Sequence, residues 1–203
     1  ATAHSAFDRV FDVLPGELAP LLALALVAEV SGDQATAERR YARVWNTDRS
    51  YVNAAFGLAR LRQAAGDRAG AVRVLDQVPT DSRHHPAAAA AAVRARLAAD
   101  PAALTREDLR DVSERLSRLR ERPEIGSERL DRLTLDVFTA ALDWIKAGAP
   151  DPTVEVLGRP LTERHIRFGL EATYRALAKL VTDAATRIEL VDRANAVRPR
   201  TLF

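Results

Sequence analysis

The chain has 203 residues, 30 basic and 28 acidic side chains, no cysteine and no methionine, and 47% of it is hydrophobic. This is enough chain for one compact domain or a repeat array, and too apolar for disorder. Without cysteine there is no disulfide scaffold, thiolate metal site or cysteine nucleophile. The 39 alanines and 25 leucines, against six phenylalanines, three tyrosines and two tryptophans, favour helices packed closely through small side chains, so the fold class expected is all-α. All but two of the basic residues are arginines, Lys146 and Lys179 being the exceptions, and acidic residues are interleaved with them. That is a composition bias, not a patch for nucleic acid. The absence of methionine reads as a piece of a longer polypeptide.

In chain order, Phe7, Val10, Phe11 and Leu14 fall at i, i+3, i+4 and i+7 and predict an amphipathic leading helix within residues 1–16. The apolar run Leu18 to Ala28 contains Pro20 and is about half the roughly 20 residues that a bilayer span needs, so no membrane partner is expected. Residues 17–79 then show internal self-similarity. Gly32-Asp33 returns as Gly66-Asp67, and Leu24 and Leu58, Ala25 and Ala59, Ala37 and Ala71, Tyr41 and Leu75, and Val44 and Val78 are each one 34-residue period apart. A period of about 34 residues with this content indicates tetratricopeptide repeats (TPR), each an antiparallel helix pair. Gly tolerates the left-handed φ of a helix stop, the alanines let the two helices approach, and Tyr41 or Leu75 fills the space beside the next pair.

After Pro79 the period weakens, and residues 80–147 read as degenerate repeat-like helices. Thr105 with Asp108 three residues on resembles a capping box, and Leu109, Val112, Leu116 and Leu119 share one face of the helix that follows. A further helix from Ser127 to Ala147 carries Leu130, Leu133, Val137, Phe138, Ala141, Leu142 and Ile145 inward. Residues 148–161 hold three prolines and are expected as a loop. In 162–203, Thr162 caps a helix carrying Ile166, Leu170, Tyr174, Leu177 and Leu180, and a last helix from Asp183 carries Ile188, Val191, Ala194 and Val197. The expected whole is a single right-handed helical solenoid over 1–203 with about ten helices.

No catalytic constellation is evident. The chain lacks a glycine-rich phosphate loop, a Val-Ala-Ile-Lys-like strand, His-Arg-Asp and Asp-Phe-Gly, so phosphoryl transfer by this chain is not expected, nor is a cofactor. His84 and His85 lack a third ligand at helical spacing, and no metal site is expected. What remains is the concave face of the repeats. The register places Leu22, Leu26 and Glu29 there from the first repeat and Asn53, Phe56, Arg60 and Gln63 from the second. The apolar Leu22 and Leu26 do not supply the clamp with which chaperone-type TPR domains hold terminal carboxylates. Such a groove suits a hydrophobic segment, from a partner or from a neighbouring part of the same polypeptide. Leu22 and Leu26 equally suit packing against the leading helix of Phe7 and Phe11.

Several runs carry a closer resemblance: Leu14-Pro15-Gly16-Glu17-Leu18-Ala19-Pro20 with Leu22-Ala23-Leu24-Ala25, Ala54-Ala55-Phe56-Gly57-Leu58-Ala59-Arg60, Gly66-Asp67-Arg68-Ala69-Gly70-Ala71-Val72-Arg73, Ala141-Leu142-Asp143-Trp144, and Leu190-Val191-Asp192 with Ala194-Asn195 and Val197-Arg198-Pro199. Together they resemble the C-terminal TPR domain of the actinobacterial protein kinase G family, with residues 82–128 matching least. The resemblance implies a cytoplasmic parent with a rubredoxin-like metal module, an ATP- and magnesium-dependent serine/threonine kinase domain, and this domain as its non-catalytic regulatory end. It further implies contact with the kinase domain, a protein substrate or regulator of the forkhead-associated class that controls 2-oxoglutarate and glutamate metabolism, and a homodimer. A stand-alone adaptor that binds a peptide in the groove is the alternative reading.

Overall fold

The computed structural model describes Ser5, Val13, residues 16–148 and residues 151–199. Phe7, Val10, Phe11 and Leu14, on which the leading helix was predicted, lie outside the described residues. Among the described residues there are nine α-helices, one short 3-10 turn and one two-stranded sheet, so the all-α class holds. The chain divides into two compact units, Ala1–Ala95 and Arg96–Phe203.

The first unit contains α1 (Leu18–Val30), α2 (Gln34–Thr47), α3 (Val52–Ala64), α4 (Arg68–Asp76) and most of α5 (His85–Leu97). The Gly-Asp dipeptide sets the boundary inside each pair by doing two jobs. Gly32 and Gly66 adopt φ of +84° and +81°, and their N–H groups donate to Glu29 and Gln63 carbonyls. The following Asp33 and Asp67 N–H groups donate to Ala28 and Arg62 carbonyls, which completes a Schellman stop. The same aspartates open the next helix, their carboxylates accepting from the Thr36 and Gly70 N–H groups at 3.1 and 2.7 Å. Every apolar position matched by the 34-residue period is buried. Ala25, Ala37, Ala59 and Ala71 are the close-approach points, and Tyr41, Trp45, Val44, Leu75 and Val78 fill the space around them. Gly57 is fixed by packing as well, because a Cβ there would lie 2.5 Å from Cζ of Tyr41. Trp45 is a core residue, its Nε1 donating to Gln77 Oε1 at 3.2 Å while the Arg49 guanidinium lies over its ring. His85 begins α5, with its Nδ1 3.0 Å from the Val78 carbonyl oxygen.

The second unit contains the turn Pro101–Ala103, α6 (Arg106–Arg120), α7 (Ser127–Ala147), strands β1 (Asp151–Val156) and β2 (Arg159–Leu161), α8 (Glu163–Leu180) and α9 (Ala184–Val197). The capping box at α6 is formed: Thr105 Oγ1 accepts the Asp108 N–H, and Asp108 Oδ2 accepts the Thr105 N–H at 3.0 Å. Asp108 is buried and its other oxygen meets Arg96 Nε at 2.9 Å. The predicted inner faces of α6 and α7 are buried except Leu130, which is half-buried.

Three expectations change here. Residues 151–161, expected as loop, form an antiparallel hairpin. Both strands are edges, so Pro152 and Pro160 are tolerated, and Val154, Val156 and Leu161 turn inward on the two-residue period. Leu157 and Gly158, both at positive φ, make the turn, and the Leu157 N–H donates to Ser113 Oγ on α6. Second, Thr162 precedes α8 as expected, but its hydroxyl lies 2.7 Å from His165 Nδ1 instead of capping a backbone N–H. Third, the expected inward stripe of α9 holds only in part: Ala194 is buried and Val191 and Val197 are half-buried, but Ile188 is 62% exposed, and Leu180 at the end of α8 is exposed too. Among the described residues α9 packs mainly on α8, so a narrow contact line is buried and not a broad face.

Candidate functional site

The first helices of the two repeats, α1 and α3, leave a groove of about 580 Å³ lined by Ala19, Leu22, Ala23, Leu26, Tyr41, Asn53, Phe56 and Arg60. On α1 the residues Ala19, Leu22, Ala23 and Leu26 fall at i, i+3, i+4 and i+7, two positions before the core stripe of Leu21, Leu24, Ala25 and Ala28 and so about 160° from it around the helix. α1 is therefore apolar on two nearly opposite sides. The inner stripe meets α2 and the repeat core, while the second stripe is left facing the groove, with Leu26 51% exposed. Phe56 is half-buried on the opposite wall, and Asn53 and Arg60 mark its rim.

A polar cluster closes one part of this surface. Glu29 of α1 receives two parallel hydrogen bonds from Arg60 of α3, Nε to Oε1 at 3.0 Å and Nη2 to Oε2 at 2.9 Å, and a third from the Tyr41 hydroxyl of α2 at 2.6 Å. Fork-to-fork pairing of this kind fixes orientation as well as charge. The Arg60 hydrogen bonds hold the Glu29 carboxyl below its usual range, against a desolvation that pushes the other way, with the Tyr41 hydroxyl assisting. Burial, then the Glu29 carboxylate, pushes the Tyr41 phenol well above its ordinary value. Arg60 is raised in turn, chiefly by Glu29. The cluster joins three helices and leaves the Arg60 guanidinium partly open to solvent, its side chain 56% exposed.

Of the residues expected on the concave face, Leu22, Leu26, Asn53, Phe56 and Arg60 are brought together in the groove. Glu29 takes part through its bonds to Arg60 and Tyr41. Gln63 is exposed and does not line it. Ala19 and Ala23 were missed, although their i, i+4 relation to Leu22 and Leu26 carried the signal. Tyr41 was read only as a spacer between repeats, whereas its hydroxyl end also reaches the groove. Nothing in this arrangement pairs a nucleophile with a base, and among the described residues no three His, Asp or Glu side chains gather as metal ligands.

The chain matches, over residues 1–201, the family described as protein kinase G tetratricopeptide repeat. It belongs to that family. Consistent with membership in the protein kinase G tetratricopeptide repeat family, the chain is 39% identical over 204 residues to the serine/threonine-protein kinase PknG of Mycolicibacterium smegmatis, covering 100% of this chain and 26% of the relative. It is 38% identical over 200 residues to the serine/threonine-protein kinase PknG of Mycobacterium leprae, covering 98% of this chain and 25% of the relative. The chain thus spans about a quarter of the length of these kinases. No helix among the described residues is long and apolar enough to cross a membrane.

Proposed function

We propose that this chain is the regulatory, protein-interaction part of a cytoplasmic serine/threonine protein kinase and is itself non-catalytic. The observation that carries this reading is the match of the whole chain to one quarter of the two PknG kinases. In this reading ATP, magnesium and a rubredoxin-type metal belong to the parent, and this part contacts the kinase domain, recruits a protein substrate or regulator, and supports a homodimer. A forkhead-associated regulator of 2-oxoglutarate and glutamate metabolism is the substrate class that the family resemblance implies. The groove supports the interaction role: an apolar floor of Leu22, Leu26 and Phe56 beside the oriented Arg60–Glu29 pair accepts an apolar helical segment and fixes its direction.

The test removes residues 1–203 from the parent and compares phosphorylation of its natural protein substrate, substrate affinity and sedimentation. A fall in any of the three is expected. Unchanged rate, affinity and oligomeric state would refute the regulatory reading.

A further inference from the structure

We infer that the groove between α1 and α3 receives α1 of a second copy of this chain, the two helices lying antiparallel across a two-fold axis between Leu22 and Ala23. This rests on the homodimer in the function proposed above and names the surface and the register that form it.

Glu29 aside, α1 has no side suited to water. Of its 13 residues, Leu18–Val30, only Glu29 is charged, and that carboxylate is already bound by Arg60 and Tyr41 of its own chain. A helix that is apolar around its circumference is stable when it is covered all round. The core covers Leu21, Leu24, Ala25 and Ala28, yet the opposite side leaves Leu26 51% and Val30 82% exposed, and Ala19 exposed with them. In a two-fold contact each patch meets itself, so a charge on the patch would face its like near the axis. This side of α1 carries none.

The order of side chains along the stripe points to a copy of itself as the occupant. Ala19, Leu22, Ala23 and Leu26 lie within about 100° of one another around the helix, and reading them backwards exchanges small for large. Two copies set antiparallel about the midpoint of Leu22 and Ala23 therefore put Ala19 opposite Leu26 and Leu22 opposite Ala23. Each leucine meets an alanine, the alternation of large and small that lets two helix surfaces interdigitate. A parallel pair would set leucine on leucine and leave a gap at each alanine. The two-fold also gives each α1 a second wall, Phe56 on the other copy's α3, with Asn53 and Arg60 at the rim. One helix face and a rim make a small interface, at or below about 1,200 Å², so the dimer is reversible and depends on concentration.

With no cysteine in the chain, introduced thiols have no background. Ala19 and Leu26 are both exposed, so A19C and L26C keep the fold. Across the antiparallel pair, position 19 of one copy is level with position 26 of the other, whereas two positions 19, or two positions 26, are seven residues and about 10 Å apart along the axis. A disulfide needs Cβ atoms about 4 Å apart. In an equimolar mixture of A19C chains and L26C chains under a glutathione redox buffer, the mixed dimer is expected to form at least tenfold faster than either like-with-like dimer. Equal rates, or an excess of like-with-like dimers as a parallel pair would give, overturn the inference.

Sedimentation supplies a readout free of disulfide geometry. The average mass of the unaltered chain should rise with concentration from 22.2 kDa toward twice that value. L26D, checked by circular dichroism for an intact fold, should need at least tenfold more protein for the same rise. I188D, on the exposed side of α9, should behave as the unaltered chain does. A chain that stays monomeric, or an L26D chain that associates as before, overturns the inference and leaves the groove to another protein. Association lost in I188D and kept in L26D overturns it too and moves the dimer to α9. Both readouts use this chain alone, whereas the regulatory role is tested in the parent. Absent self-association beside a clear deletion effect sinks only this surface, and self-association through Leu26 beside unchanged phosphorylation and substrate affinity sinks only the kinase-directed role.

Discussion

Replacing Gly57 by alanine probes how tightly the two repeats mesh. In an otherwise regular helix interior the change should help, by about 1 kcal/mol of helix propensity. Here the new Cβ would lie 2.5 Å from Tyr41 Cζ and 2.7 Å from both adjacent ring carbons, distances that no rotamer change at position 57 can relieve. The ring cannot retreat cheaply: it is buried, and its hydroxyl is held by Glu29 at 2.6 Å. Overpacking a filled core costs about 1–3 kcal/mol, and severing the Tyr41–Glu29 bond to make room costs about 1 kcal/mol more. The net expectation for Gly57→Ala is a loss of about 1–3 kcal/mol. For a unit of this size that lowers the melting midpoint by about 4–8 °C for each kcal/mol, readable by circular dichroism. The sequence itself offers the compensating pair, since 34 residues on from Tyr41 and Gly57 stand Leu75 and Ala91. Tyr41→Leu combined with Gly57→Ala should therefore be less destabilised than the sum of the single changes, a coupling that a double-mutant cycle measures. An unchanged or raised midpoint for Gly57→Ala alone would refute this account of the repeat interface.

Other predictions concern charge and backbone. Because Glu29 titrates below the 4.5 of the free carboxyl, its contribution to stability is complete above about pH 4.5 and is lost as pH falls through the lower folded value. Between those values the unfolded chain binds more protons. Glu29→Gln should flatten the acid limb of a stability–pH curve, and an identical slope would contradict the cluster's role. At Gly66 an added Cβ meets nothing within 4 Å, so Gly66→Ala isolates the cost of φ +81°, about 1–2 kcal/mol by urea unfolding, with Gly66→Asn costing less. Asp108→Ala should destabilise more than Thr105→Ala, whose cap is worth about 0.5–2 kcal/mol, because Asp108 also carries the 2.9 Å contact to Arg96. Equal losses in thermal melts would assign Asp108 to capping alone.

What could be read from the sequence was whatever repeats or acts within one turn. The Gly-Asp dipeptides, the paired alanines at positions 25, 37, 59 and 71, and the Thr105–Asp108 cap are local devices whose neighbours are fixed by spacing, and each is found where expected. Leu22, Leu26, Asn53, Phe56 and Arg60 were placed by the same register. The Glu29–Tyr41–Arg60 cluster was not legible, because its partners are 12 and 31 residues apart and meet only after α1, α2 and α3 have packed. The hairpin at 151–161 was obscured by its prolines, although the alternation of Val154 and Val156 before Leu157-Gly158 was a strand-and-turn signal. The outward Ile188 shows the opposite limit: an apolar periodicity states which residues could be covered, and only the neighbouring helices decide which are.

The arginine-rich, lysine-poor surface has a kinetic consequence. In the second unit the acidic residue of a pair commonly precedes its arginine by one helical turn, as in Asp111–Arg115, Glu128–Arg132, Glu163–Arg167, Glu171–Arg175 and Glu189–Arg193. Each helix thereby neutralises much of its own charge before any other molecule approaches, and fields from such short dipoles fade within the screening length of physiological salt, about 8 Å. Encounter with another protein through this surface is then governed by diffusion and shape, at rates nearer 10⁵–10⁶ M⁻¹s⁻¹ than the steered limit, and should change little with ionic strength.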